Sequence, residues 1–173
     1  MRIFLPLLLS PLTLCATAVA GDKKPAAALP NEWHGTWRGT LIVTSAADKR
    51  SEVLLVFKVE PIKGTNAVTW AMTYGEGDKK VVKDYKLVPV EDKLGRFRID
   101  ERNAVALDAR LVNGAIYSQF EVGGYSLTAR YELRGDTLIF EATSAKPNAE
   151  KTGNGRVQGY AVESVQIAEM RKR

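Results

Sequence analysis

The chain has 173 residues, with 25 lysines and arginines against 20 aspartates and glutamates, one histidine and one cysteine. A single cysteine excludes an intrachain disulfide, and one cysteine with one histidine cannot build a structural zinc centre from those side chains. The net charge of +5 is scattered along the chain. No basic face with interleaved aromatic residues is present, which argues against a nucleic-acid partner.

The first twenty residues have the pattern of a secretory signal peptide. Arg2 precedes an apolar run over residues 3–14, and Ala18-Val19-Ala20 is a small-x-small site that predicts cleavage before Gly21. The run is shorter than a membrane span, so we predict an exported protein, periplasmic or extracellular, with no membrane span. Cys15 leaves a lipoprotein as an alternative, although the leucine before it is larger than lipid attachment normally allows.

The rest of the chain has the pattern of one antiparallel all-β domain. Residues 21–31 are predicted to be a flexible linker that precedes a domain over residues 32–173. In that domain apolar residues recur with a period of two and turn residues recur about every ten positions. The predicted strands are 36–44, 51–60, 67–74, 81–88, 95–101, 104–112, 115–122, 125–133, 137–143 and 159–168.

Three two-residue turns predict the register of the second half. They are Asn113-Gly114, Gly123-Gly124 and Gly135-Asp136, and the first is the strongest short signal for a hairpin because both central residues of a type I′ turn take positive φ. All three place the same apolar set on one face, so the register is internally consistent. The predicted pairs are Leu111 with Ile116, Ala109 with Ser118, Leu107 with Phe120, Val122 with Tyr125, Phe120 with Leu127, Ser118 with Ala129, Ile116 with Tyr131, Leu133 with Leu138, Tyr131 with Phe140 and Ala129 with Ala142.

Strands joined by such short turns form a meander, whereas an immunoglobulin-type sandwich needs crossover loops. A meander of this length hides its edges by closing on itself. The predicted fold is therefore an antiparallel up-and-down β-barrel of about 8–10 strands.

A belt of small side chains crosses the predicted inner face at one level. It consists of Ala109, Ser118, Ala129 and Ala142. The belt leaves volume that is filled either by a ligand or by a large side chain from the opposite wall, such as Trp70 or Met72. Barrels of about eight strands can hold one small ligand. The predicted ligand is a small, largely apolar molecule, to which Ser118 and Tyr131 would supply polar contacts. The predicted binding residues are Trp70, Met72, Leu107, Ala109, Ser118, Phe120, Ala129, Tyr131 and Phe140.

Gly35-Thr36-Trp37 stands at the start of the first strand and resembles the opening motif of the calycin superfamily, which includes lipocalins, fatty-acid-binding proteins, avidins and nitrobindin-like barrels. The resemblance implies that Trp37 closes the base of the barrel and that Gly35 lets the entering chain pass close beneath it. Trp33, placed before the strand, is expected to matter much less for stability. The chain lacks the later lipocalin signatures, the biotin-contacting set of avidins and the haem-ligating histidine of nitrobindins, so the resemblance leaves the ligand open.

The remaining motifs favour binding over catalysis. The sequence has no nucleophile elbow, phosphate loop or dinucleotide fingerprint, and the acidic residues are expected to face outward, so we predict no enzymatic activity and no cofactor. His34 is interpreted as a surface or capping residue, with an axial haem ligand as the alternative. Arg134-Gly135-Asp136 is interpreted as a hairpin turn and not as an integrin-type tripeptide.

Residues 144–158 are predicted to form a long loop that either covers one rim or is simply solvated. The sequence is therefore compatible with three functions. The first is an exported barrel that binds a small hydrophobic molecule, the second is a filled barrel that acts on an envelope protein partner through its surface, and the third is an unrecognised enzyme.

Overall fold

The computed structural model describes residues 28–90 and 94–173, which form ten strands and two short 3₁₀ helices. The predicted signal peptide and most of the predicted linker lie outside these residues. All ten strands occur where the sequence predicts them, with ends that move by a few residues. The strands are β1 Gly35–Ser45, β2 Arg50–Val59, β3 Val68–Tyr74, β4 Val81–Pro89, β5 Arg96–Asp100, β6 Ala106–Val112, β7 Ala115–Val122, β8 Tyr125–Arg134, β9 Thr137–Pro147 and β10 Tyr160–Lys172, and the helices are Asn31–Trp33 and Gly77–Lys79.

The ten strands close into one barrel in which each strand pairs with its neighbours in sequence and β1 pairs with β10. Every pairing is antiparallel, and the closing pair runs from Trp37 opposite Lys172 to Ser45 opposite Ser164. Closure leaves no open edge among the ten described strands, so the predicted up-and-down barrel is confirmed.

The hairpin registers predicted from the two-residue turns are confirmed for β7, β8 and β9 and for the turn end of β6. Asn113 and Gly114 have φ values of 49° and 78°, which is the conformation that the Asn-Gly pair indicated. A two-residue turn holds the residues on either side of it in fixed pairs, and paired residues point to the same face of the sheet. The same pattern of inward and outward side chains therefore continues from β6 to β9. The observed pairs include Ala109 with Ser118, Ser118 with Ala129, Ala129 with Ala142 and Tyr131 with Phe140.

The loop predicted over residues 144–158 begins later than expected. Residues 144–147 belong to β9, where Ser144 pairs with Ser164 and Pro147 pairs with Tyr160 of the long strand β10. The prediction ended β9 too early because lysine and proline are poor strand formers. Here they are exposed at the end of the strand, and the ladder to β10 supports them.

One end of the barrel, which we call the base, is closed by aromatic side chains. Trp37 is buried as the motif predicted, but Trp33 is buried too, with only 3% of its surface exposed. Trp33 lies on the 3₁₀ helix that turns beneath the barrel, and its ring centre lies 6.1 Å from that of Trp70. Leu29 is buried with them. The expectation that Trp33 contributes little is therefore wrong, because the chain before β1 folds back over the base.

Candidate functional site

The inner face of the barrel encloses a cavity of about 200 Å³. It lies towards the end opposite the base, which we call the mouth, where β3 and β7 end and β4 and β8 begin. The lining residues are Met72, Tyr74, Lys83, Tyr85, Ile99, Glu101, Leu107, Ser118, Phe120, Leu127, Thr128, Ala129, Tyr131, Phe140, Ala142 and Gln166.

The predicted belt of small side chains borders this cavity on three of its four strands. Ser118, Ala129 and Ala142 line it, whereas Ala109 is packed in the core and does not. Met72, one of the two large residues expected to fill the space, reaches the cavity wall. Trp70, the other, packs beneath it against Phe57 and Tyr131. Volume therefore remains beside the belt.

The predicted binding residues divide accordingly. Seven of the nine line the cavity, and Trp70 and Ala109 lie in the core outside it. Trp70 belongs to the aromatic layer that forms the floor, where its buried Nε1 has no hydrogen-bond partner among the described residues. Ser118 lines the cavity, but its hydroxyl donates a hydrogen bond to the Asp108 carbonyl over 2.8 Å. Its oxygen therefore faces a ligand as an acceptor only.

The cavity has two walls of different chemistry. The wall built by β6, β7, β8 and β9 is mainly apolar and includes Leu107, Phe120, Leu127, Ala129 and Phe140. The wall built by β3, β4 and the end of β5 carries Tyr74, Lys83, Tyr85 and Glu101 together with Met72 and Ile99. A ligand in this space therefore meets hydrocarbon on one side and charged or phenolic groups on the other.

The position of Glu101 corrects the expectation that all acidic side chains face outward. Phe97 and Ile99 of β5 are buried, and Glu101 is two residues further along the same alternating face. The pairing of β4 with β5 sets Lys86 opposite Asp100, so Tyr85 and Glu101 follow next in that register. The alternation of β5 thus turns one carboxylate into the cavity, because the strand ends near the wet mouth where a charge is tolerated.

The phenols that line the cavity are held in their neutral form. Burial, with a smaller contribution from the neighbouring Tyr85 phenol, raises the pKa of Tyr74 to about 12. Burial also raises the pKa of Tyr131, and burial together with the Glu101 carboxylate raises the pKa of Tyr85. The hydroxyls of Tyr74 and Tyr131 both contact the sulfur of Met72, at 3.5 and 3.8 Å. Sulfur is a weak acceptor, so both hydroxyls remain able to donate to a ligand.

Sequence reasoning missed the polar wall and part of the apolar one. The lining residues that were not predicted are Tyr74, Lys83, Tyr85, Ile99, Glu101, Leu127, Thr128 and Gln166, whereas Ala142 was predicted as a member of the belt. His34 does not line the cavity, and its buried Nε2 has no hydrogen-bond partner among residues 28–90 and 94–173. Within those same ranges, no three histidine, cysteine, aspartate or glutamate side chains come together as a metal site.

Two larger clefts lie on the outside of the barrel. One, of about 330 Å³, lies between the loop that follows β2 and the outer face of β4, and the other, of about 430 Å³, lies over β7, β8 and β9. Both are formed largely by outward-facing and loop residues. The interior cavity is the candidate site because inward-facing side chains from both walls converge on it.

Comparison with solved structures supports the fold. An S-type phycobiliprotein lyase from Guillardia theta superimposes with a TM-score of 0.60 at 9% sequence identity, covering 82% of this chain and 89% of that one. A protein of unknown function from the DUF3598 family of Nostoc punctiforme superimposes with a TM-score of 0.59 at 13% identity and covers 89% of this chain. This chain spans 53% of the length of the Nostoc protein.

No family model matches the sequence. No curated protein matches it either. In the described part of the chain, no helix has both the length and the apolar character needed to span a membrane.

Proposed function

We propose that this protein binds one small, partly apolar molecule inside its barrel. The observation that carries the proposal is the cavity of about 200 Å³ with one apolar and one polar wall. An apolar cavity of about 150 Å³ accepts benzene, and drug-sized ligands need about 300 Å³ or more. The fitting ligand is therefore a single ring or a short chain that carries a polar group. That the protein has no enzymatic activity stays a prediction.

Two further points support the proposal without identifying the ligand. One fold neighbour is named as a phycobiliprotein lyase, so a barrel of this shape serves a protein that acts on another molecule. Gly35 has a φ of 140°, and a Cβ at this position would lie 2.8 Å from Cε of Lys172. The lysine side chain can move aside, but the positive φ strongly favours glycine where the calycin resemblance placed it, and we propose a calycin-like barrel.

The alternative of a filled barrel that acts on an envelope partner receives less support, because the interior retains volume beside the small-residue belt. A 3-phenylpropan-1-ol titration followed by calorimetry distinguishes the two interpretations, since this neutral probe has one ring and one hydroxyl. We expect saturable binding to the wild type and to Ala106→Phe, whose substitution lies on the exposed outer face. We expect no binding to Ala129→Phe, whose new ring occupies the cavity. A wild type that binds no probe of this size contradicts the proposal.

We also propose that the protein acts after export, on the basis of the predicted cleavage before Gly21. N-terminal sequencing of the exported protein tests this directly. A mature chain that begins at Gly21 supports export as a lipid-free protein. A chain that begins at a lipid-modified Cys15 contradicts the lipid-free form and the cleavage before Gly21, and it places the barrel on a membrane surface.

A further inference from the structure

The polar wall of the cavity carries one carboxylate that no described side chain neutralises. Glu101 is half-buried, and none of the ion pairs found among residues 28–90 and 94–173 includes it. Arg102, the next residue in sequence, pairs with Asp84 of β4 over 2.9 Å, and both side chains are exposed. A carboxylate partly removed from water is stabilised by a charged or hydrogen-bonding partner. The Tyr85 phenol is a hydrogen-bonding neighbour of Glu101, so the partner that the described residues do not supply is a positive charge.

Aromatic side chains line the same cavity as the carboxylate. Tyr85 follows Glu101 in the register between β4 and β5, Tyr74 lies on the adjacent strand β3, and Phe120 lines the apolar wall. The faces of such rings attract organic cations that approach within about 6 Å. Aromatic faces combined with a carboxylate attract a substituted ammonium group, whereas both groups repel an anion.

The negative charge of Glu101 also acts on two phenols that line the cavity. After burial itself, the Glu101 carboxylate further raises the pKa of Tyr85, and it contributes a smaller increase to the pKa of the buried Tyr131. The Glu101 carboxylate therefore favours a negative potential at its own wall of the cavity. Lys83 also lines the cavity, but its side chain is exposed at the mouth. Its ammonium remains hydrated there, so it opposes this potential only weakly.

We propose that the ligand of this cavity is a small organic cation, a primary or substituted amine on one ring or a short apolar chain, with its nitrogen against Glu101 and its apolar body on the wall of β6 to β9. This inference rests on the proposed binding function and specifies the class of ligand for the same site. The neutral phenol of Tyr74, whose hydroxyl donates to the weakly accepting sulfur of Met72, is able to donate instead to an acceptor that the ligand carries beside its nitrogen.

Three probes with one carbon skeleton test the proposal on the full exported protein. These are 3-phenylpropan-1-amine, 3-phenylpropan-1-ol and 3-phenylpropanoate, which at neutral pH are cationic, neutral and anionic. We expect the amine to bind about tenfold or more tightly than the alcohol, as a hydrogen bond to a charged partner provides, and the carboxylate to bind most weakly. This comparison needs no variant, so it does not depend on any substitution being tolerated.

Variants that each remove one charge assign the preference to a residue. Glu101→Gln is expected to reduce amine affinity to about that of the alcohol while leaving alcohol affinity nearly unchanged. Lys83→Gln, which removes the opposing charge from the same wall, is expected to increase the amine preference. Lys86→Gln, on the outer face of β4, is the matched control and is expected to leave the preference unchanged. Tightest binding of the carboxylate with loss on Lys83→Gln overturns the proposal, as does equal binding of amine and alcohol. Failure of all three probes contradicts the binding function itself, so the two failures are distinguishable.

Discussion

The indole Nε1 of Trp37 donates a hydrogen bond over 2.9 Å to the backbone carbonyl of Trp33, four residues earlier in the chain. On the other side of Trp37, the ammonium of Lys172 lies 4.9 Å from the ring centre and donates to the carbonyl of Glu32 over 3.1 Å. The 3₁₀ helix beneath the barrel is thus tied to the first strand and to the end of the last. The same two residues, Trp37 of β1 and Lys172 of β10, therefore pair across the closing strands and hold the helix against the base.

From this arrangement we predict that both tryptophans are important for stability. Trp33→Ala and Trp37→Ala should each lower the free energy of unfolding by about 3–5 kcal/mol, because each removes a large buried aromatic side chain. Urea denaturation measures the change. Tyr160→Ala is the control, since Tyr160 is 47% exposed and its loss should cost little. If Trp33→Ala behaves like this control, the helix does not cover the base in solution.

At Gly39 the closing strands β1 and β10 lie too close together for a side chain to fit without movement of the backbone. In β1 it pairs with Met170 of β10, and a Cβ added here would overlap the carbonyl oxygen of Glu169. We expect Gly39→Ala to cost about 3 kcal/mol or more, at the upper end for overpacking, because backbone rather than a flexible side chain must move.

Gly64→Ala is the control for this substitution. Gly64 has a φ of 77° with open space around its Cβ position, so alanine there brings only the backbone cost of about 1–2 kcal/mol. Thermal unfolding of both variants ranks them. Equal destabilisation would show that the β1–β10 contact relaxes more easily than the close approach implies.

Sequence patterns predicted the second half of the barrel well and the polar wall poorly, for a physical reason. Two-residue turns transmit register, so the turns at Asn113-Gly114, Gly123-Gly124 and Gly135-Asp136 determine the faces of β7 to β9. Strands β3 to β5 are joined by longer loops, and β4 begins with four exposed residues, Val81 to Asp84, that show no alternation. Near the wet mouth an inward side chain need not be apolar, so the pattern there could not reveal that Lys83 and Glu101 face the interior.

The cavity predicts opposite outcomes for two neighbouring alanines. Ala129 lines the cavity and Ala109 is packed in the core on the other side of Ser118. Ala129→Phe should fold with little loss of stability because its ring enters existing space. Ala109→Phe should cost about 1–3 kcal/mol or more through overpacking. Denaturation midpoints compare the two. A severe loss for Ala129→Phe would mean that the space closes in solution.

The ionisation of Tyr74 provides a prediction about pH. Its pKa is raised from the ordinary 10.0 to about 12, first by burial and then by the Tyr85 phenol. Between these values the folded protein holds a proton that the unfolded chain has released. Stability must therefore fall with rising pH in this window. The contribution of Tyr74 is complete below about pH 10 and is lost as the pH passes through about 12.

A spectrophotometric titration of the phenols, compared between the wild type and Tyr74→Phe, isolates this group among the six tyrosines. The difference curve should show one phenol that ionises near pH 12. The phenylalanine variant should also lose less stability than the wild type between pH 10 and 12, because it has no proton to release at this position. A difference curve centred near pH 10 would mean that the Tyr74 hydroxyl is freely hydrated and that the cavity wall around it is open to water.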